Sequence, residues 1–254
     1  ADAMASPGST VATMAAATFS LRRLRGVQRP ALAVRLPVPG KPVLFLDVGA
    51  NVDVRAQHLV QFAFLGTAFS EAVLGVERPR VGLLSVGEEA GKGRDEVVAA
   101  HAMLAAAGGI EFAGNVEGRD LPAGTADVVV TDGFTGNVAL KLMEGTARTV
   151  ATAIGDAARS NPVSALGGLL MRPALGGLRR ELSPETTGGA ILLGLRAIAV
   201  VGHGSAGADG IANAVRLAAR CAETDAVGRT AALLHEGEAK RGSLGAAPAD
   251  GAGT

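Results

Sequence analysis

Short β-branched runs recur along the chain, each followed by a glycine-containing turn and then by a longer stretch of helical periodicity. That alternation predicts an α/β fold: a mostly parallel sheet layered by helices on both faces, α/β/α. A helix is expected over Thr10–Arg25, ending at Gly26, and a strand over Ala31–Leu36. Val43–Asp47 is an apolar run that breaks at Val48-Gly49-Ala50-Asn51 before a helix over 56–74. Val81–Val86 repeats the unit, with a loop from Gly87 to Arg94 and Asp95 placed to cap a helix through Ala107. Two more strands are expected, over Ile110–Ala113 and Ala126–Thr131. The first leads into Gly114–Asp120 and the second into Thr131-Asp132-Gly133-Phe134-Thr135-Gly136-Asn137, with a helix from Asn137 onward. Polar, glycine-bearing loops therefore follow the strands that end near Asp47, Val86, Ala113 and Thr131.

From Thr146 to Arg180 the pattern is helical but broken at Asn161-Pro162 and at Pro173, which predicts a projecting helical hairpin inserted at about 146–182. It carries Leu166, Leu169, Leu170, Met171, Leu175 and Leu178 beside Arg172, Arg179 and Arg180. Leucines facing outward at its tip would make an interfacial anchor with basic flanks; the alternative is packing against a second copy across a dimer axis. Ala190–Val201 is a last apolar stretch, followed by His203-Gly204-Ser205 and by helices near 209–224 and 228–238. The expected organisation is one α/β domain over 1–239 and a disordered Gly/Ala/Pro tail over 240–254.

Composition narrows the function classes. The chain has 254 residues and is 48% hydrophobic, enough to bury a full core. Its 24 basic and 24 acidic residues cancel, so nothing global favours nucleic acid, and the absence of Trp and Tyr removes the stacking platforms that bases use. The lone cysteine, Cys221, excludes an internal disulfide and any multi-cysteine metal site, and points to a reducing, cytoplasmic compartment. No uninterrupted apolar run is long enough for a spanning helix, and no basic-then-apolar leader is present. Neither metal nor cofactor is expected: there is no Walker A loop, no strand-linked G-x-G-x-x-G, no G-x-S-x-G and no H-E-x-x-H.

In a parallel α/β sheet, ligands bind beyond the carboxyl ends of the strands, where loop amides and helix N-termini present unpaired N–H donors. Glycine lets the backbone approach an oxyanion closely, and phosphate is the natural guest. Lys92, between Gly91 and Gly93, could neutralise such an anion or could be a solvated turn lysine. Asp132 and Asn137 could shape a site, or they could bind turn amides and cap the next helix. Asp47 and Asn51 carry the same ambiguity. His203 is a candidate base or a satisfied structural residue. His58, His101 and His235 have no partner pattern, and Cys221 reads as core.

Taken together, Leu46-Asp47-Val48-Gly49-Ala50-Asn51-Val52-Asp53, Gly114-Asn115-Val116-Glu117, Asp127–Asn137 and His203-Gly204-Ser205 closely resemble the bacterial phosphate acyltransferases of the PlsX family. The resemblance runs to about Ala232. It implies a fold similar to isopropylmalate dehydrogenases and phosphotransacetylases, and transfer of a fatty acyl group from acyl carrier protein to inorganic phosphate for phospholipid synthesis. It also implies a homodimer and peripheral association with a membrane surface through the hairpin, with Leu166, Leu169 and Leu170 as the contact. Under this resemblance Lys92 and loop amides hold phosphate, Asn115 and Asn137 are polar donors around the reacting centre, and Asp132 orients them. Asp47, Asn51, Gly87, Gly93, Gly133, Thr135, Gly136 and His203 fall on substrate-binding positions, as do Ser6, Gly8 and Thr10. In that last loop an asparagine and a glycine of the family pattern are missing, and the family's Asp-Ala-Met-Gly-Gly-Asp motif has no counterpart, so a chain lacking its N-terminal quarter is expected. A short-chain phosphotransacetylase-like enzyme using coenzyme A and an inactive membrane-bound scaffold are the alternatives.

Overall fold

The strand Val43–Leu46 (β3) has no polar residue and is buried at every position, because helices cover both faces of the sheet around it. In this computed structural model, which describes residues 2–38, 41, 43–181, 184–202 and 206–244, β3 is central to one eight-stranded sheet. The other strands are β1 (Ala3–Ser6), β2 (Ala31–Leu36), β4 (Arg80–Leu84), β5 (Glu111–Val116), β6 (Val128–Val130), β7 (Ala190–Leu193) and β8 (Ile198–Val201). Their spatial order is β1-β8-β7-β2-β3-β6-β4-β5.

The strands β3, β6, β4 and β5 run parallel, and β7 points the same way. Between them β2 is antiparallel to both β3 and β7, while β8 turns back from β7 and carries β1 parallel to itself. The sheet is therefore mixed. This orientation decides which loops can meet: those after β3, β4, β5 and β6 share one edge, whereas β1 and β8 end at the opposite edge.

Side chains on β3 alternate between two cores with the period of a strand. Leu44 and Leu46 join Phe62, Phe64, Leu104 and Cys221 beneath α2 (Ala56–Phe69), α3 (Asp95–Ala105), α6 (Ala208–Glu223) and α7 (Ala226–Leu244). Val43 and Phe45 join Ala17, Leu36, Val129 and Leu192 beneath α1 (Thr10–Leu21) and the first turns of α4 (Gly133–Ala158).

Several boundaries differ from expectation, each for a local reason. Helix α1 stops at Leu21 because Arg22 turns left-handed, freeing Arg23 and Leu24 to pair with Leu195 and Gly194 in the β7–β8 turn. The apolar stretch 190–201 is two strands, folded at Gly194. Strand β5 continues through Asn115, which expectation had put in a loop. Helix α4 starts at Gly133 rather than Asn137, and α3 starts at Asp95, so that Arg94 rather than Asp95 holds its N-cap position, without a side-chain capping bond. Strand β1 carries no alternation that would announce it, and α7 reaches Leu244, past the expected start of the tail.

From Gly145 to Ile154 every residue of α4 is exposed, so the helix leaves the sheet and packs against α5 (Pro162–Glu181). The break at Asn161-Pro162 is present: Asn161 Oδ1 accepts from the Ser164 amide at 2.8 Å, and proline occupies the first helical position, where its missing N–H costs nothing. The expected break at Pro173 is absent. The carbonyl that proline leaves without a donor is that of Leu169, a residue 61% exposed, so water can take the missing amide's place.

Candidate active site

The loops after β3 and β6 are zipped together at the strands' carboxyl edge. Thr131 N–H donates to Leu46 O at 2.7 Å, Asp47 N–H to Thr131 O at 3.1 Å, and Gly133 N–H to Asn51 O at 2.7 Å. Two glycines permit this. A Cβ on Gly133 would sit 2.7 Å from Asn51 O, and one on Gly136 would sit 1.9 Å from Asp47 O, so the first turn of α4 can lie on that backbone only without side chains there.

Asp47, joined to Leu46 by a cis peptide bond, is completely buried and acts as the hub of its loop. Oδ1 accepts the amides of Leu32, Gly49 and Ala50, and Oδ2 accepts the amide and side-chain N–H of Asn51, both at 2.7 Å. Burial pushes its pKa above the ordinary carboxylate value, against the opposing pull of these donors. Asn51 passes its second bond to Pro30 O. Asp47 keeps no polar atom for a ligand, whereas Asn51 Oδ1 accepts no hydrogen bond from the described residues.

Asp132 is the N-cap of α4. Its Oδ1 accepts the Thr135 amide at 2.9 Å, and Oδ2 accepts the Thr135 hydroxyl at 2.7 Å and Arg94 Nη2 at 2.8 Å. Capping falls to Asp132 because α4 begins at Gly133; Asn137 lies in the second turn, half-buried, above Gly49. Arg94 also pairs with Glu96 at 2.8 Å and thereby ties the loop after β4 to the start of α4.

That loop, Gly87–Arg94, is held from below. Ser85 Oγ donates to Lys92 O at 2.9 Å, and Lys92 N–H donates to Glu89 O at 3.0 Å. Gly93 adopts φ +107, where a Cβ would be 2.8 Å from Ser85 Oγ. Asn115 donates to Glu89 O at 2.8 Å, and its Oδ1 meets His101 Nδ1 at 3.0 Å. Both polar ends of Asn115 are thus spent in supporting the loop. Lys92 itself is exposed, and its ammonium makes no ion pair among the described residues.

The expected residues therefore divide. Asp47, Asn51, Gly87, Lys92, Gly93, Asn115, Asp132, Gly133, Thr135, Gly136 and Asn137 gather at one edge. Ser6, Gly8 and Thr10 lie at the other: Ser6 Oγ faces Thr13 Oγ1 at 3.2 Å, and Gly202 N–H donates to Ser6 O at 2.9 Å. His203 lies outside the described residues. Arg94 and His101 were not foreseen. Arg94 follows Lys92-Gly93 directly, but its partner Asp132 is distant in sequence; His101 gives no signal, because its partner lies on the next strand. Cys221 is fully buried, and burial pushes its thiol up to about 11, far from a usable nucleophile.

Chemically, the edge offers the Lys92 ammonium and the Phe134 amide, the one amide in the first turn of α4 not already donated, while Arg94 is neutralised by Glu96 and Asp132. Such a pair can receive an anion. The profile of the family described as "Fatty acid synthesis protein" matches residues 1–229. A phosphate acyltransferase of Elusimicrobium minutum (strain Pei191) is 47% identical over 224 residues, covering 88% of this chain and 65% of its own length. Another, of Geobacillus sp. (strain WCH70), is 48% identical over 228 residues, covering 89% and 69%. This chain belongs to the phosphate acyltransferase family. It spans about two thirds of the length of the curated relatives it matches. Among solved structures it is similar to the EutD phosphotransacetylase from Staphylococcus aureus, with a TM-score of 0.57 and 18% identity over 87% of this chain and 63% of that one, a likeness of fold.

Proposed function

We propose that the protein transfers a fatty acyl group from acyl carrier protein to inorganic phosphate, releasing acyl phosphate for phospholipid synthesis in the cytoplasm. The observation that carries this is an anion-receiving edge built from family motifs in a chain nearly half identical to phosphate acyltransferases.

The reaction needs a phosphate oxygen held against the thioester carbonyl and a stabilised tetrahedral oxyanion. A C–O bond forms as the C–S bond breaks, and the thiolate leaves with little need of a proton. Ionised phosphate is already a nucleophile, so no covalent enzyme intermediate is required, in keeping with the inert Cys221. Lys92 and the Phe134 amide at the start of α4 hold phosphate. Asn137 stands beside them as a donor, while Asp132, Arg94 and Asn115 position the two loops. Asn115 is thereby a positioning residue in this reading.

The exposed apolar residues suit two further roles. Leu166, Leu169 and Leu170, each 61–75% exposed on α5 beside Arg172, suit peripheral membrane contact. Phe134, Val138, Leu142, Val150 and Ile154 follow i+4 spacing along α4 and suit a homodimer interface. No described helix is long and apolar enough to cross a membrane.

The test mixes the protein with phosphate and an acyl thioester, trapping acyl phosphate as hydroxamate. Acyl carrier protein thioesters are expected to react and coenzyme A thioesters not to; the reverse preference favours a phosphotransacetylase-like enzyme. Lys92→Ala is expected to lower product formation by at least about tenfold. Leu169→Glu with Leu170→Glu is expected to release the protein from anionic liposomes with its unfolding curve unchanged. Liposome binding without any product would favour the scaffold reading instead.

A further inference from the structure

At the sheet edge opposite the candidate active site lies a cavity between β2, α6 and the end of α2. Its floor is Ala33, Leu44 and Ile191, and Phe69 forms a wall. These four are core residues at 0–4% exposure, so the floor is apolar. Around the rim stand Arg35 on β2 and, one helical turn apart on α6, Arg216 and Arg220. Among the described residues none of the three guanidinium groups meets a carboxylate, and Arg216 donates only to Asn213 Oδ1 at 2.7 Å. Like charges gathered without counter-charge repel one another, and an anion seated between them removes that repulsion.

Phe69 and Ile191 have a second neighbour. They also wall a smaller cavity bounded by Leu193, Ile198, Ala226 and Val227, which is almost wholly apolar. A charged compartment and a greasy one thus share a partition of two side chains.

We propose that this is a binding site for an amphiphilic anion. Arg35, Arg216 and Arg220 take a phosphate or carboxylate head, and a short aliphatic tail lies against Phe69 and Ile191. The proposal is independent of acyl transfer, since it uses no residue of the 131–137 loop.

The experiment titrates the protein with hexyl phosphate, hexanoate, inorganic phosphate and hexylammonium, reading affinity by calorimetry and position by backbone amide NMR shifts. The expected result is binding of hexyl phosphate or hexanoate with shifts at Ile191, Leu217 and Arg220, the tighter of the two identifying the head group. Inorganic phosphate is expected to bind at least about tenfold more weakly, and hexylammonium not at all. Arg216→Gln with Arg220→Gln, and separately Arg35→Gln, are expected to weaken hexyl phosphate at least about tenfold without moving the urea midpoint. Unchanged affinity in these variants, equal affinity for inorganic phosphate, or shifts confined to residues 131–137 overturns the proposal.

Discussion

Arg94 Nη2 lies 2.8 Å from Asp132 Oδ2, and this one pair joins the loop after β4 to the N-terminus of α4. The partners are unequal: the Asp132 side chain is 5% exposed, that of Arg94 55%. Removing Arg94 leaves Asp132 still bonded to Thr135, so the stability cost is modest, about 1 kcal/mol. The cost to function is expected to be larger. Lys92 shares its loop with Arg94, and without the tie its ammonium no longer holds one place beside α4. Arg94→Ala should therefore lower the urea midpoint slightly and acyl-phosphate formation several-fold. Undiminished turnover in the hydroxamate assay would show that the pair does not position Lys92.

Glycines in α4 are predicted to divide by position. Gly136→Ala drives a Cβ to 1.9 Å from Asp47 O, a backbone atom that cannot rotate away, and should destabilise by about 3 kcal/mol or more. Gly145→Ala, in the same helix with nothing within 4 Å, should stabilise by about 0.5–1 kcal/mol by restricting the unfolded chain. Chemical denaturation of both variants checks the sign. Destabilisation by both would mean that the helix, rather than its fit against the loop after β3, sets the requirement.

The contrast between these glycines shows what was legible in the sequence. The strand-loop-helix rhythm placed β3, β4 and β6 and brought Asp47, Lys92 and Asp132 to one edge, because apolar runs and glycine turns are local signals. Strand direction is not local. Nothing within Ala31–Leu36 or Ala190–Val201 says that β2 and β8 run against β3, and this reversal carries Ser6, Gly8 and Thr10, which the family resemblance assigns to substrate binding, to the other edge. Roles were harder to read than places. Asn115 and Asp132 carry the residue types of a reactive centre, yet their hydrogen bonds are taken up by Glu89, His101, Thr135 and Arg94, partners fixed only by tertiary packing.

The thiol of Cys221 is expected to be silent. It is fully buried, and at a pKa of about 11 only a minute fraction is thiolate at pH 8. A disulfide reagent such as dithiobisnitrobenzoate should react with the denatured chain at once and with the native protein only as fast as it opens. Cys221→Ala should leave acyl-phosphate formation intact while costing some stability through the cavity it leaves. Loss of activity in a folded Cys221→Ala protein would restore a covalent route.

His58 predicts a specific pH dependence of stability. It sits at the third position of α2, 6% exposed, and its Nδ1 accepts the Arg55 amide at 3.1 Å, a bond that requires an unprotonated nitrogen. Burial first, then the charges of Arg29 and Arg55, hold its pKa below the ordinary histidine value of 6.5. The folded state thus favours the neutral ring. The stability it contributes is full above pH 6.5 and is lost as pH falls through 6.5 towards the folded-state value. His58→Gln supplies an uncharged acceptor at the position where glutamine completes a capping box, so the amide keeps its partner and the titration disappears. Urea unfolding of both proteins between pH 7.5 and 5 should give midpoints that diverge below 6.5, with the wild-type curve falling the more steeply. Because every other ionisable group is common to the two proteins, the difference between the curves isolates His58. Parallel curves would mean that the Arg55 amide does not depend on the neutral ring.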